Sequence, residues 1–470
     1  MSTPAVTRTE KDSIGTLDVP AAAYYGVQTQ RAIANFSISG QPMPRPFIHA
    51  HVLLKKAAAT VNRDLGLLKP DLAAAILQAA DEVLNDAPWS LDQFPVDIYQ
   101  TGSGTSTNMN VNEVLASRAN EILGGKRGDK SPVHPNDHIN LGQSSNDTIP
   151  TSLQIMAALL LKNELGPAML ALNTSLERKS KELWNIIKTG RTHLQDATPI
   201  RLGQEFEGYA DQILVARTNF VLPAGTGLTN LPIGGTAVGT GINAHPEYAR
   251  RMCDLLTDWC GLEFGETPYH FFAQATLDTA VAAHGALKSL AISLTKIAND
   301  IRWMGSGPRA GLGEIELPAV QPGSSIMPGK VNPVIAESVL MVCQRVIGND
   351  AALTAAATQN NFELAMSIPL AAACLHESIT LLAHACTNFA TQCIDGIKAT
   401  SRGPDLVERG LMLATALAPV LGYDQAASIA KEAAAIGKTI RQIAKERTTL
   451  TDAQLTDLLN PERMVDPRAT

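Results

Sequence analysis

The sequence predicts a mainly α-helical protein with a central bundle of long helices. Three observations carry this. Long proline-free stretches place apolar residues at three- and four-residue spacing. Those stretches are rich in alanine, which permits close approach between helices. Phe, Trp and Tyr make up only 4% of the 470 residues, so aliphatic packing must dominate.

Taken in order, the first hundred residues mix short segments with Pro and Gly, and Pro42, Pro44 and Pro46 crowd one loop. Residues 47 to 86 read as two helices broken near Gly66 and Pro70. Residues 151 to 188 keep helical spacing, with one interruption at Gly166-Pro167. Residues 200 to 220 form a further candidate. In 277 to 304, Leu287, Leu290, Leu294, Ile297 and Ile301 recur at three and four. That run predicts a helix of roughly 28 residues, on the order of 40 Å long. Another helix should follow Pro333 to about Ala357, since proline is a normal helix start. Residues 375 to 398 complete the set. Long helices of this kind imply a bundle, one that extends beyond a single chain's own core. After Gly403-Pro404, shorter helices and polar turns predict a small C-terminal domain. The expected division is 1–143, 144–398 and 399–470. Length alone allows about three domains.

A net charge of -7 gives no reason to expect nucleic acid as a partner. No window reaches 18 uncharged apolar residues, so no membrane span is expected. The start, MSTPAVTRTEKDSIG, lacks the apolar core of a secretory signal. Six cysteines, at 253, 260, 343, 374, 386 and 393, form no CxxC pair and no zinc-site spacing. They read as buried free thiols, and the expected compartment is the cytoplasm.

Four segments are polar, small and flanked by helices: 101–112 (TGSGTSTNMNVN), 134–151 (HPNDHINLGQSSNDTIPT), 190–204 (GRTHLQDATPIRLGQ) and 305–333, ending in GSSIMPGKVNP. Each has a plain explanation, because Ser, Thr, Asn and Gly fill turns and helix caps. Ser144-Ser145-Asn146, just ahead of a long helix, reads equally well as an N-cap. The glycines fit neither the phosphate loop nor a dinucleotide fingerprint. The last segment says more. It sets flexible glycines, two serines, a lysine and an asparagine before a helix start, where backbone N–H groups and an ammonium make an anion site.

GSSIMPGKVNP resembles the characteristic sequence of the fumarase/aspartase superfamily, and the other three segments match its remaining motifs in order. The resemblance runs from Glu10 to about Arg463. Within the superfamily it is most similar to the class II fumarate hydratases. GRTHLQDATP carries His193 where the aspartases carry Gln, HPND carries His134, GGTAVGTGINAHPEYARR reads as fumarase, and MPGKVNP has Gly329. AYYGVQTQRAIANF and DQFPVDIYQ read partly like aspartase, so an aspartate ammonia-lyase is the alternative. A catalytically inactive structural homologue is the second. The retained site residues argue against it.

The resemblance implies a fumarase-type fold, with a twenty-helix core in a homotetramer whose active sites each draw on three chains. It implies reversible conversion of (S)-malate to fumarate and water, a step of the tricarboxylic acid cycle, with no cofactor and no metal. It also implies roles. Ser324 is the base that removes the proton beside a carboxylate, His193 delivers a proton to the leaving hydroxyl through a water, and Glu337 orients His193. Ser103, Gly104, Thr105, Ser144, Ser145, Asn146, Thr192, Ser325, Lys330, Val331 and Asn332 bind substrate. His134, Pro135, Asn136 and Asp137 form a second dicarboxylate site. That site departs from the family in having Ser131, beside Lys130, where a basic residue is common. His138 and His245 read as structural. The chemistry fits these residue types. The C–H is very weakly acidic, so elimination needs a base and, more urgently, donors around the carboxylate that gathers charge. A serine can serve only if backbone N–H groups and nearby cations stabilise its alkoxide.

Overall fold

The structure, a computed structural model, describes residues 6–467; the first residues of the stretch read above for a secretory signal lie outside it. The chain divides into two compact units. One comprises 1–166, 218–289 and 344–382; the other comprises 167–217, 290–343 and 383–470. This grouping differs from the three sequence segments, because the boundaries fall inside the long helices rather than between them.

In the first unit, helices Arg45–Asp64 and Pro70–Leu84 form where two helices were expected, and they pack on each other. Both have proline in the first turn, where the missing N–H costs nothing. Gly66, at φ 74, ends the first of them in a left-handed conformation that suits glycine. Helix Ser145–Leu160 packs against Arg45–Asp64, and helix Thr105–Ile122 against Pro70–Leu84. Phe47, Ile48, Leu54, Ile76, Leu115, Ile149 and Ile155 lie fully buried among them. Strands Thr7–Lys11 and Thr16–Pro20 pair antiparallel ahead of these helices.

The long helices are Asp278–Met304, Val334–Ala357 and Ile368–Gln392, of 27, 24 and 25 residues. Leu287, Leu290, Leu294, Ile297 and Ile301 are all buried, so the expected apolar face of the first is real. The last begins seven residues earlier and ends six residues earlier than its sequence estimate of 375–398. Gly166-Pro167 does not break its helix. Ser145–Leu160 passes through a wider π turn at Leu161–Leu165 into Gly166–Glu182, and such a turn accommodates a proline that cannot donate. The stretches Ser145–Glu182 and Ile368–Gly396 are long and apolar enough to cross a membrane by length and composition, but 61% and 67% of their most apolar windows are buried within the protein, as core helices are.

The second unit contains a hairpin, Ile187–Thr192 paired with Gln195–Arg201, where only a polar stretch was expected. Helix Arg402–Val407 and the 3-10 turn Leu411–Leu417 pack on its strands. Behind them lie helices Tyr423–Ile436, Ile440–Arg447 and Asp452–Leu458, around Leu413, Leu417, Ile429, Ile443 and Leu455. Thr439 and Thr451 open the last two helices with capping boxes to Gln442 and Gln454.

Candidate active site

In the first unit, two helix starts carry expected substrate-binding residues. Gly104 precedes helix Thr105–Ile122 at φ 73, and a Cβ there would lie 2.7 Å from Ile149 Cγ2 on the neighbouring helix. Glycine therefore satisfies both the backbone conformation and the close approach. Ser144 caps helix Ser145–Leu160: its Oγ accepts from Asn146 N, and Asp147 closes the capping box. The N-cap reading of this segment thus holds for Ser144, while Ser145 stands free of the cap. The hydroxyls of Ser103, Thr105 and Ser145 form a chain, with Oγ–Oγ1 and Oγ1–Oγ distances of 2.8 Å and 2.8 Å. Asn146 Nδ2 donates to Ala237 O at 2.8 Å. A third helix start adjoins them: Ile368 N donates to Gly102 O at 3.0 Å, at the head of Ile368–Gln392. Converging helix starts and hydroxyls favour an anion.

Beneath this surface sits a buried polar layer that sequence reading missed. Lys55 Nζ donates to Asn140 Oδ1 and Gln143 Oε1, both at 2.9 Å. Asn108 and Asn112 also donate to Asn140 Oδ1. Asp147 accepts from Ser144, Gly234 and Thr236 backbone N–H groups. Burial pushes its carboxyl up to about 6, against the pull of those amides and Lys55. Burial likewise holds the Lys55 ammonium down to about 7, with Asp147 opposing.

At the expected second site, His134 caps the π turn Pro135–Ile139. Its Nδ1 accepts from Asn136 N and Asp137 N at 3.3 and 3.2 Å and lies 3.3 Å from Asp137 Oδ2. His138 Nδ1 accepts from His134 N, the structural role expected of it. Asn136 and Asp137 are exposed and Pro135 is buried. Lys130, next to Ser131, spends its ammonium on Lys11 O at 2.7 Å.

The second unit carries the remaining candidates. His193 and Leu194 form the two-residue tip of the hairpin, at φ 56 and φ 60. Positive φ at both central residues defines the tight turn that matches strand twist, usually built from Asn-Gly. Thr192, His193 and Leu194 are exposed. The serine loop closes on itself: Gly323 N donates to Lys330 O at 2.9 Å, and Asn332 Nδ2 donates to Gly323 O at 2.7 Å. Ser324 Oγ accepts from Ile326 N at 3.3 Å and Met327 N at 3.1 Å. Two N–H groups thus already point at the oxygen that would bear charge. Ser325, Lys330 and Val331 are exposed beside it. Glu337 lies in the first turn of Val334–Ala357 and is exposed. Among the described residues, no hydrogen bond or ion pair joins His193 to Glu337 within one chain.

The chain matches the family described as Lyase over residues 15–348, and the fumarase C C-terminus over residues 413–466. It is 52% identical to a class II fumarate hydratase of Methylorubrum extorquens, covering 98% of each chain. It is 50% identical to that of Neisseria meningitidis, covering 98% of this chain and 100% of the other. Among solved structures, a class II fumarase from Schistosoma mansoni superposes with a TM-score of 0.96 at 37% identity, covering 99% of this chain and 100% of the other. A fumarate lyase:delta crystallin from Brucella melitensis gives 0.94 at 44%, covering 98% and 100%. The chain is therefore a lyase of the fumarase/aspartase superfamily, and it belongs there to the class II fumarate hydratase family.

Proposed function

We propose that the chain interconverts (S)-malate and fumarate plus water, using the serine loop as its base. The observation that carries this is the pair of backbone N–H groups on Ser324 Oγ, within a loop that also presents Lys330 and Asn332. Ionised Ser324 takes the proton from the carbon beside one carboxylate of malate. The electron pair moves onto that carboxylate, where Lys330 contributes charge and Asn332, Ser325 and the Val331 backbone contribute donors. The pair then returns to form the C=C bond of fumarate as the C–O bond at the neighbouring carbon breaks, and His193 supplies the proton through a water so that the hydroxyl leaves as water. Thr192, Asn146 and the Ser103–Thr105–Ser145 hydroxyls hold the dicarboxylate in register. Glu337 from another chain orients His193. His134, Pro135, Asn136 and Asp137 serve a second dicarboxylate site.

The assembly is a homotetramer with shared sites. Ile292, Trp303, Met341 and Ile347 support this reading: they lie exposed on the long helices, where a single chain would leave apolar surface in water. The working compartment is the cytoplasm. The test is a comparison of malate with aspartate, following fumarate by ultraviolet absorbance without added cofactor. Malate turnover is expected, and Ser324→Ala should retain fold and tetramer while kcat falls by about 10³-fold or more. Malate inert and aspartate releasing ammonia overturns the reading. Full activity of Ser324→Ala removes the serine from its role.

A further inference from the structure

The tip of the His193 hairpin is held by very little of its own. Both tip residues adopt a left-handed conformation without glycine or asparagine, and both are exposed. Among the described residues, no side-chain hydrogen bond reaches His193. Its aim therefore depends on how the base of the hairpin is fixed.

That base carries a buried charge cluster. Glu314 accepts both guanidinium arms of Arg191, at 3.0 and 2.7 Å. It also meets Lys188 Nζ at 2.9 Å. Lys188 in turn donates to both oxygens of Glu205, at 3.0 and 2.9 Å. The side chains of Glu314 and Lys188 are 1% and 2% exposed. Lys188 and Arg191 both belong to the strand that ends one residue before His193, and the register irregularity of the hairpin falls between Thr189 and Arg191. A Cβ at Gly190 would lie 2.8 Å from Thr198 O, so the strands are close there.

Glu314 is itself a fixed post. Its N–H donates to Met304 O at 2.8 Å, at the end of Asp278–Met304, and its carbonyl accepts from Thr400 N at 3.0 Å. Ile315–Glu316 then pairs with Lys398–Ala399. The segment runs on from there to the serine loop.

We propose that Glu314 is a positioning residue for His193, its buried carboxylate clamping Lys188 and Arg191 so that the hairpin tip keeps a catalytic orientation. The inference rests on the reading of His193 as the proton donor. Its physical basis is that a buried lysine and a partly buried arginine facing one buried carboxylate cannot relax apart without leaving charge poorly compensated. Glu205, and Asp196 opposite Arg191 on the paired strand, would remain to balance them, and the other polar groups packed nearby, Tyr209, Asp300 and Lys296, already pair among themselves. Burial pushes the Glu205 carboxyl up, with Lys188 opposing.

The test is a double-mutant cycle on the whole enzyme with malate as substrate. Glu314→Gln should lower kcat by about 10- to 100-fold with KM within about threefold, because a displacement near 1 Å at a catalytic group costs about 10²-fold. Glu314→Asp should recover part of the loss. In a His193→Asn background, Glu314→Gln should remove little further activity, since the clamp acts through a residue already absent. Additive losses, or an unchanged kcat, overturn the proposal. If Glu314→Gln does not fold, Arg191→Lys serves in the same cycle, keeping the charge and losing the paired geometry. An inert wild type would instead sink the functional reading.

Discussion

Gly323→Ala is the most discriminating single change in the serine loop. A Cβ at residue 323 would lie 2.2 Å from Lys330 O and 2.8 Å from Asn332 N. Both contacts are backbone, so neither can swing away as a side chain would. Restoring ordinary separation moves the Lys330–Asn332 backbone by about 1 Å, and a shift of that size costs on the order of 10²-fold in rate. This is about 2.7 kcal/mol of transition-state stabilisation. The Gly323 N–H to Lys330 O and Asn332 Nδ2 to Gly323 O bonds stretch in the same movement. The loop is largely exposed, so global stability should change by less than about 0.5 kcal/mol. The assay is kcat/KM for malate beside a thermal melt. Gly329→Ala is the control: residue 329 sits at φ +82, but a Cβ there meets nothing within 4 Å. It should bear only local backbone strain of about 1–2 kcal/mol and lose less activity. Equal losses in the two variants, or a Gly323→Ala enzyme within threefold of wild type, would refute the steric argument.

Two further outcomes follow from the geometry. His193→Asn keeps a residue that accepts positive φ while removing the imidazole, so the melting temperature should hold or rise while kcat falls by about 10²–10⁴-fold; a kcat within threefold of wild type would remove His193 from the chemistry. Burial pushes the thiols of Cys253, Cys386 and Cys393 up to about 12 and that of Cys374 to about 11, so at pH 8 they stay protonated and unreactive. A thiol reagent should find at most the half-exposed Cys260 quickly in native protein and all six after denaturation, and two or more fast thiols would contradict this packing.

The long helices were legible because periodicity over 20 or more residues leaves little choice: the run through Leu287 and Ile301 became Asp278–Met304. The helix at Ile368–Gln392 was placed late because IPLAAAC opens it without a polar cap, after Ser367 at φ 60. The hairpin at 187–201 escaped notice for a specific reason. Its turn is His-Leu, where local turn chemistry would call for Asn-Gly. The motif residues themselves were readable from resemblance, but their supports were not. Lys55, Asp147, Lys188 and Glu314 read as ordinary charges in sequence. Only the fold shows all four buried, with Lys188 and Glu314 in an ion pair across a long sequence separation and Lys55 and Asp147 each held by other polar partners. Ser144 was readable both ways, and its side chain does serve as the cap.

The three hydroxyls of Ser103, Thr105 and Ser145 have a property that none has alone. Each carries one proton, and each link at 2.8 Å can run in either direction. Left to itself the row has no fixed sense. An anion at one end fixes it, because the terminal hydroxyl must then turn its proton outward and the others follow. Each link polarises the next, so the last donor is stronger than an isolated hydroxyl. The row is thus a small switchable dipole, aligned with the helix starts beneath it, whose direction is written by the charge that arrives.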